Sequence, residues 1–386
     1  MMNKIVLGAV TAVVVGVGAA AGWYFLGKES GPGVMTTGTA PALDCSTIKA
    51  DVDATLAALP PELKATYSGL ECSAQKLLFA ELRFGVLGAG GTEEGAVKLS
   101  AVVLDNPFAA NAKKIFNAAS YPAGQAPSAE RLALAGHLTA AKVTIGPEAG
   151  GGVSFENLDI ADLGARQFAK APPATLAALG TLAPADLADL LQAFSFSSFG
   201  FKNVAGGPQG SEPVLHIASI VLSAFDGAKL GGLDVTSVSA KPEAGAAGGV
   251  TIGSLSLKGI GVADLATLLS SAGGMASTDA ESVKLLLAIS ADQATLKDFQ
   301  ASGFAGPDDQ VKLATVDIQA LKSLAFQSVT VQGLEGFSSE ADVAFKLGKF
   351  TITGVDVGSA LQTMAAGGDP DYSKLRIDGY EISDLS

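Results

Sequence analysis

Along most of the chain the apolar residues recur at a spacing of two, three, two, three. Val250, Ile252, Leu255, Leu257 and Ile260 show it, as do Val153, Phe155, Leu158, Ile160 and Leu163. Phe194, Phe196, Phe199, Phe201 and Val204 repeat it, and so do Leu215, Ile217, Ile220, Leu222 and Phe225. In a flat strand residues i and i+2 share a face and i+3 points the other way. Three arrangements keep all five positions buried. A bulge between the pairs inserts a residue and returns the second pair to the first face. Alternatively the strand passes from one apolar layer to another, or the chain winds as a coil of five-residue turns. Polar, Gly-rich turns interrupt all but one run, which favours the bulge. A set of such strands predicts a strongly twisted, curved antiparallel sheet. Its candidate apolar face carries Val153, Phe155, Phe194, Phe196, Phe199, Phe201, Val250, Ile252, Leu255 and Leu257.

Helical phrases follow some of these strands, as at Val262, Leu265, Leu268 and Leu269, and at Leu176, Leu179, Leu182, Leu187, Leu190 and Leu191. A short third one lies at residues 359–366. Asp162, Asp264 and Asp384 each stand just after a strand phrase, and Asp162 and Asp264 are read as helix N-caps. The whole phrase repeats. The turn Pro147-Glu148-Ala149-Gly150 returns as Pro242-Glu243-Ala244-Gly245, 95 residues on, and a truncated third copy fills the remainder. Duplication at a period of roughly 95–100 residues favours an elongated architecture of neighbouring modules. The fold class is therefore α+β and β-dominated: antiparallel bulged strands with helical insertions, preceded by one N-terminal transmembrane helix.

That helix is residues 5–26, a run of 22 residues without a charge. At about 1.5 Å per residue it is long enough for a bilayer core. Trp23 and Tyr24 suit the interface, and Lys4 before it favours the N-terminus inside. Ala19-Ala20-Ala21 offers the competing reading, a cleaved signal peptide. Residues 1–4 would then be cytoplasmic, 27–42 a Gly-, Thr- and Pro-rich tether, 43–82 a small helical region, and 83–386 the repetitive β-rich domain. In the small region residues 46–59, 62–68 and 74–82 read as helices. Cys45 and Cys72 are the two cysteines, and in an exported chain such a pair reads as a disulfide.

Charge and chemistry narrow the function more than they define it. Acidic residues number 38 against 25 basic ones, for a net charge of −13. That balance opposes nucleic acid and anionic lipid headgroups. His137 and His216 sit in apolar strand surroundings without cysteine or clustered carboxylate partners. Neither a phosphate loop, a G-x-S-x-G elbow, an H-E-x-x-H helix nor an EF-hand loop occurs. Asp308-Asp309 and the loop Gly367-Gly368-Asp369-Pro370-Asp371 offer oxygen atoms to a cation, but turns of this kind are usually only solvated. No cofactor, catalytic residue or metal site is expected.

The phrases VTIGSLSLKGI, FTITGVDV and LRIDGYEISDL, behind a single apolar N-terminal segment, resemble the strands of AsmA-like proteins of the bacterial envelope. The resemblance implies anchoring in the inner membrane, a periplasmic location and a β-groove that handles lipid. It carries over no site residue, and the long helical phrases depart from a plain β-groove. The expected function is thus non-enzymatic binding or support of envelope lipid or another apolar ligand. The alternative is a structural or scaffold protein of the envelope that binds another protein. Which one applies turns on whether helices cover the apolar face of the sheet.

Overall fold

A computed structural model describes residues 42–57, 63–87, 93–108, 111, 115, 128, 130–146, 152–167, 192–207, 214–241, 248–262, 283, 287, 289–303, 309–338 and 343–385. The expected membrane segment at 5–26, the tether, most of the helical phrases and Asp264 lie outside these residues. Among the described residues no helix is long and apolar enough to cross a membrane.

A short helix, α1 (Ile48–Ala57), precedes the strands β1 (Leu63–Ser68), β2 (Glu71–Ser73), β3 (Lys76–Leu87), β4 (Glu93–Pro107), β5 (Leu132–Gly146) and β6 (Gly152–Ala165). Then come β7 (Phe194–Gly207), β8 (Leu215–Phe225), β9 (Lys229–Ala240), β10 (Gly249–Val262), β11 (Ile289–Ser302), β12 (Gln310–Lys322), β13 (Ala325–Ser338) and β14 (Val343–Asp356). Helix α2 (Gly358–Ala365) and β15 (Gly379–Leu385) complete the described chain. The strands follow one another in sequence order as neighbours in a 15-stranded sheet, with β2 beside β3. The chain divides into two compact units, Met1–Lys202 with Ala224–Gly227, and Asn203–Ser223 with Ala228–Ser386.

The repeat is visible in this order. β6 and β10 begin 97 residues apart, β7 and β11 begin 95 apart, and β8 and β12 begin 95 apart. Helix α2 is the short helix expected at residues 359–366. It starts where the Asp356 carboxylate accepts from the Ser359 amide at 2.9 Å and its hydroxyl at 2.6 Å, relieving otherwise unpaired donors of the first turn.

In the first unit, two expected helices are strands. Residues 62–68 contain β1 and residues 74–82 run into β3. Leu77, Phe79, Leu82 and Phe84 carry the same two, three, two spacing as the strands further on, with Leu77 0% exposed. Cross-strand pairing outweighs the helical propensity of the Leu- and Ala-rich run. β1 and β2 are one strand in register terms: Ser68 pairs with Glu81 and Glu71 with Leu78, with Gly69 and Leu70 passed over. The disulfide between Cys45 and Cys72 is present, with Cα atoms 5.6 Å apart, and ties the start of α1 to β2. Ile48 and Val52 of α1 are buried.

Candidate functional site

The sheet is bulged, and apart from register shifts at Val86/Leu87 and Ala133/Ala135 in the first unit the bulges are collective. Across β10 and β11 the ladder pairs Ile252 with Phe299 and Ser254 with Lys297, passing over Gly253 and Asp298 without any change of register. A bulge in one strand alone opposes two residues to one and shifts the register. Here both strands take the extra residue at the same level, so every pair beyond keeps its partner.

In the second unit these levels join into two rows that cross the strands. One runs through Ser237, Gly253, Asp298, Ala314, Gly333, Gly348 and Asp384. The other runs through Gly231, Gly259, Asp292, Ala320, Gln327 and Gly354, to Asp378, whose amide donates to Thr353 at 3.0 Å. The left-handed residues alternate along each row. In the first they are Ser237, Asp298, Gly333 and Asp384, with φ from +51° to +63°. In the second they are Gly259, Ala320 and Gly354, with φ from +52° to +60°. Each left-handed residue directly precedes an inward apolar residue, and each of its neighbours in the row directly follows one.

The rows force close approach. A Cβ added to Gly253 would lie 2.8 Å from that of Asp298, one on Gly348 would lie 2.6 Å from that of Asp384, and one on Gly333 would lie 2.8 Å from that of Ala314. Glycine or alanine therefore stands on at least one side of each crossing. The first unit has its own rows, Gly69, Ala80, Ala101, Ala141 and Asn157, and Asn106, Gly136 and Asp162. There the left-handed residues are Gly69, Ala101, Asn106, Asn157 and Asp162.

This geometry corrects the reading of the aspartates. Asp162 lies within β6 at φ +52°, so it does not begin a helix, and Asp384, within β15, has the same conformation at φ +56°. Asp and Asn tolerate the left-handed region better than other residues with a Cβ, which is why they recur before the inward apolar residue.

The rows also bring the apolar residues onto one face, but the two units treat that face differently. In the first unit it is buried. Val153, Phe155, Phe194, Phe199 and Phe201 are buried, Phe196 is half-buried, and Leu138 and Val143 are both 0% exposed. Phe155 stacks on Phe201 at 4.9 Å between centroids, and Phe196 on Phe225 at 5.3 Å.

In the second unit Val250, Ile252, Leu255 and Leu257 are each half-buried. The array they belong to is continuous. Leu255 pairs with Leu296, Leu296 with Val316, Val316 with Val331, Val331 with Phe350 and Phe350 with Ile382. Among the described side chains of β9–β15, Val355 is the one buried Val, Leu, Ile or Phe. Phe345 is 43% exposed, and Tyr380 and Leu385 on β15 are over two-thirds exposed, at 74% and 70%.

The opposite face of the second unit is polar. Asp317 accepts from Gln293 at 2.9 Å, from Thr295 at 3.0 Å and from Gln319. Burial works to raise its pKa. The bonds from Gln293, Gln319 and Thr295, with the Lys258 charge, outweigh burial and hold the carboxyl below its ordinary range.

The remaining polar groups are dispersed. On the first unit half-buried His137 lies 2.8 Å from the Asp159 carboxylate. Beside the disulfide, the Tyr67 hydroxyl donates to Asp53 at 2.6 Å, and Lys49 meets the same carboxylate at 3.0 Å. Burial first, and the Asp53 hydrogen bond second, push the phenol up to about 12. Asp309 is 1% exposed, Asp369 is exposed, and Asp308 lies outside the described residues. Among the described residues no three His, Cys, Asp or Glu side chains gather as a metal site. His216 is exposed on β8.

Comparison with known proteins finds no matching family, curated protein or solved structure.

Proposed function

We propose that the chain is a non-enzymatic protein of the bacterial cell envelope, anchored in the inner membrane by residues 5–26, with the bulk of the chain in the periplasm. Its activity is to bind envelope lipid, or another apolar ligand of that shape, on the apolar sheet face of the second unit. One observation carries this reading: the array from Leu255 to Ile382 is unbroken across the strands yet left half-exposed, while the equivalent face of the first unit is buried. Soluble proteins rarely leave large contiguous apolar surfaces in water without a use for them.

Other features support the setting. The 22-residue apolar run suits a bilayer, and the disulfide suits an oxidising compartment. The strand phrases resemble those of AsmA-like proteins. The polar network around Asp317 keeps the other face wetted, so the sheet has one side for an apolar ligand and one for water.

The test is native mass spectrometry of the full chain purified in mild detergent. Lipid adducts that survive detergent removal support the reading, and a chain free of adducts that also fails to take up a fluorescent acyl probe overturns it.

A further inference from the structure

The Cys45–Cys72 cross-link lies at the surface of the first unit. Cys45 is exposed and Cys72 is half-buried. Both line an open cavity of about 650 Å³, together with Lys49, Asp53, Tyr67 and Leu70. A disulfide is opened by a thiolate that reaches one of its sulfurs, so access separates exchangeable cross-links from inert ones.

The cross-link holds α1 rather than the sheet. On either side of it Ser68 pairs with Glu81 and Cys72 with Leu77, and these backbone ladders do not pass through the sulfurs. α1 has ten residues, fewer than an isolated helix needs to persist in water. It depends on its attachments: buried Ile48 and Val52, the Leu43 amide donating to the Ala74 carbonyl at 2.8 Å, and the Tyr67 hydroxyl donating to Asp53 at 2.6 Å. The disulfide is the covalent one among them. The two sulfurs also differ. Cys45 is the more accessible, and Cys72 has the Ser73 carbonyl oxygen 3.6 Å from its sulfur, an acceptor for the thiol it would become.

We infer that Cys45–Cys72 is a thiol–disulfide exchange site whose opening by a dithiol oxidoreductase releases α1 from the sheet. A thiolate of the reductant attacks Cys45 Sγ, the S–S bond breaks, and Cys72 leaves as a thiolate that takes a proton from water. The reductant's second thiolate then attacks its own sulfur in the mixed disulfide and frees Cys45, which is protonated likewise. Two electrons pass to the chain, and the reductant ends as a disulfide. Release exposes Ile48 and Val52 and withdraws Asp53 from Tyr67. Re-oxidation by the reverse route restores the attachment. This regulation goes beyond ligand binding on the apolar face and stands independently of it.

The test uses the full chain in mild detergent, without denaturant, and reduced thioredoxin as the dithiol. Both cysteines should become open to alkylation. Amide exchange in α1 should quicken at least roughly ten-fold while β3 keeps its protection. The Tyr67 phenol, read as the difference in phenolate absorbance from Tyr67→Phe, should titrate below its value of about 12. A thioredoxin without its resolving cysteine should be trapped on Cys45. The double variant Cys45→Ser, Cys72→Ser should show the same loss at α1 with no reductant present. A disulfide reduced only after denaturation, a mixed disulfide on Cys72, or a reduced chain whose α1 stays protected would each overturn the proposal. So would a loss of protection that spreads through β3 and β4, because the cross-link would then support the sheet itself.

Discussion

Gly253 and Asp298 face each other across β10 and β11 at a point where the ladder breaks and resumes unshifted, and a Cβ on Gly253 would sit 2.8 Å from that of Asp298. This pair is the unit from which the bulged sheet is built. Gly253→Val should therefore destabilise the second unit by roughly 2–3 kcal/mol, in the range for overpacking a site that cannot relax. Chemical denaturation measures it. A variant within experimental error of the parent would show that the row tolerates a side chain on both sides.

Ala320 is left-handed at φ +52° without the tolerance of Asn, Asp or Gly. Ala320→Gly removes a strain of about 1–2 kcal/mol and adds about 0.5–1 kcal/mol of unfolded-chain freedom. A small net gain in the denaturation midpoint is the expected outcome. Gly354→Ala should move it the other way, because φ there is +60° and the Asp378 carboxylate occupies the space a Cβ needs.

These rows explain how much of the fold is legible in the sequence. The two-three spacing is enough to read bulged antiparallel strands and a repeat near 95 residues. It does not reveal that the bulges align from strand to strand, because one strand's periodicity contains no register. A local signal is nevertheless present. Asn157, Asp162, Asp298, Gly259, Gly333 and Gly354 each directly precede an inward apolar residue, where a left-handed residue belongs. Asp162 resembles a helix cap in sequence because Asp serves both roles, yet the strand continues past it to Ala165. Residues 74–82 mislead for a related reason, since Leu78 and Leu82 also fit a helical period.

Two hydrogen-bonded carboxylates, one in the polar network of Gln293, Thr295 and Gln319 and one at the start of α2, make the second unit acid-sensitive. Asp317 and Asp356 are both held below the ordinary carboxyl value of 3.8. For Asp356 the Ser359 hydroxyl is the main cause and its amide the next. A depressed folded pKa means that the stabilisation is present above the ordinary value and is lost as pH falls through the lower folded one. Urea midpoints should drop between neutral pH and about pH 3, and less so in Asp317→Asn. An equal drop in that variant would place the acid sensitivity elsewhere.

Reduction of Cys45–Cys72 releases a cross-link spanning 27 residues and should cost about 3.5 kcal/mol in the chain-entropy picture. The Tyr67 phenol, held near 12, should titrate lower in Asp53→Asn, as followed by phenolate absorbance. Burial alone should keep it above an ordinary tyrosine. A full return to the ordinary value would contradict burial as the larger of the two causes.

Ligand binding is proposed for the half-exposed array on the second unit. Val316 and Val331 pair at its middle, both half-buried. The most direct measurement is binding of a fluorescent acyl probe to the delipidated full chain, beside Val316→Glu and Val331→Glu variants whose circular dichroism matches the parent. Saturable binding by the parent and its loss in both variants is the predicted result. Binding that persists in the folded variants, or no binding by the parent, would contradict it.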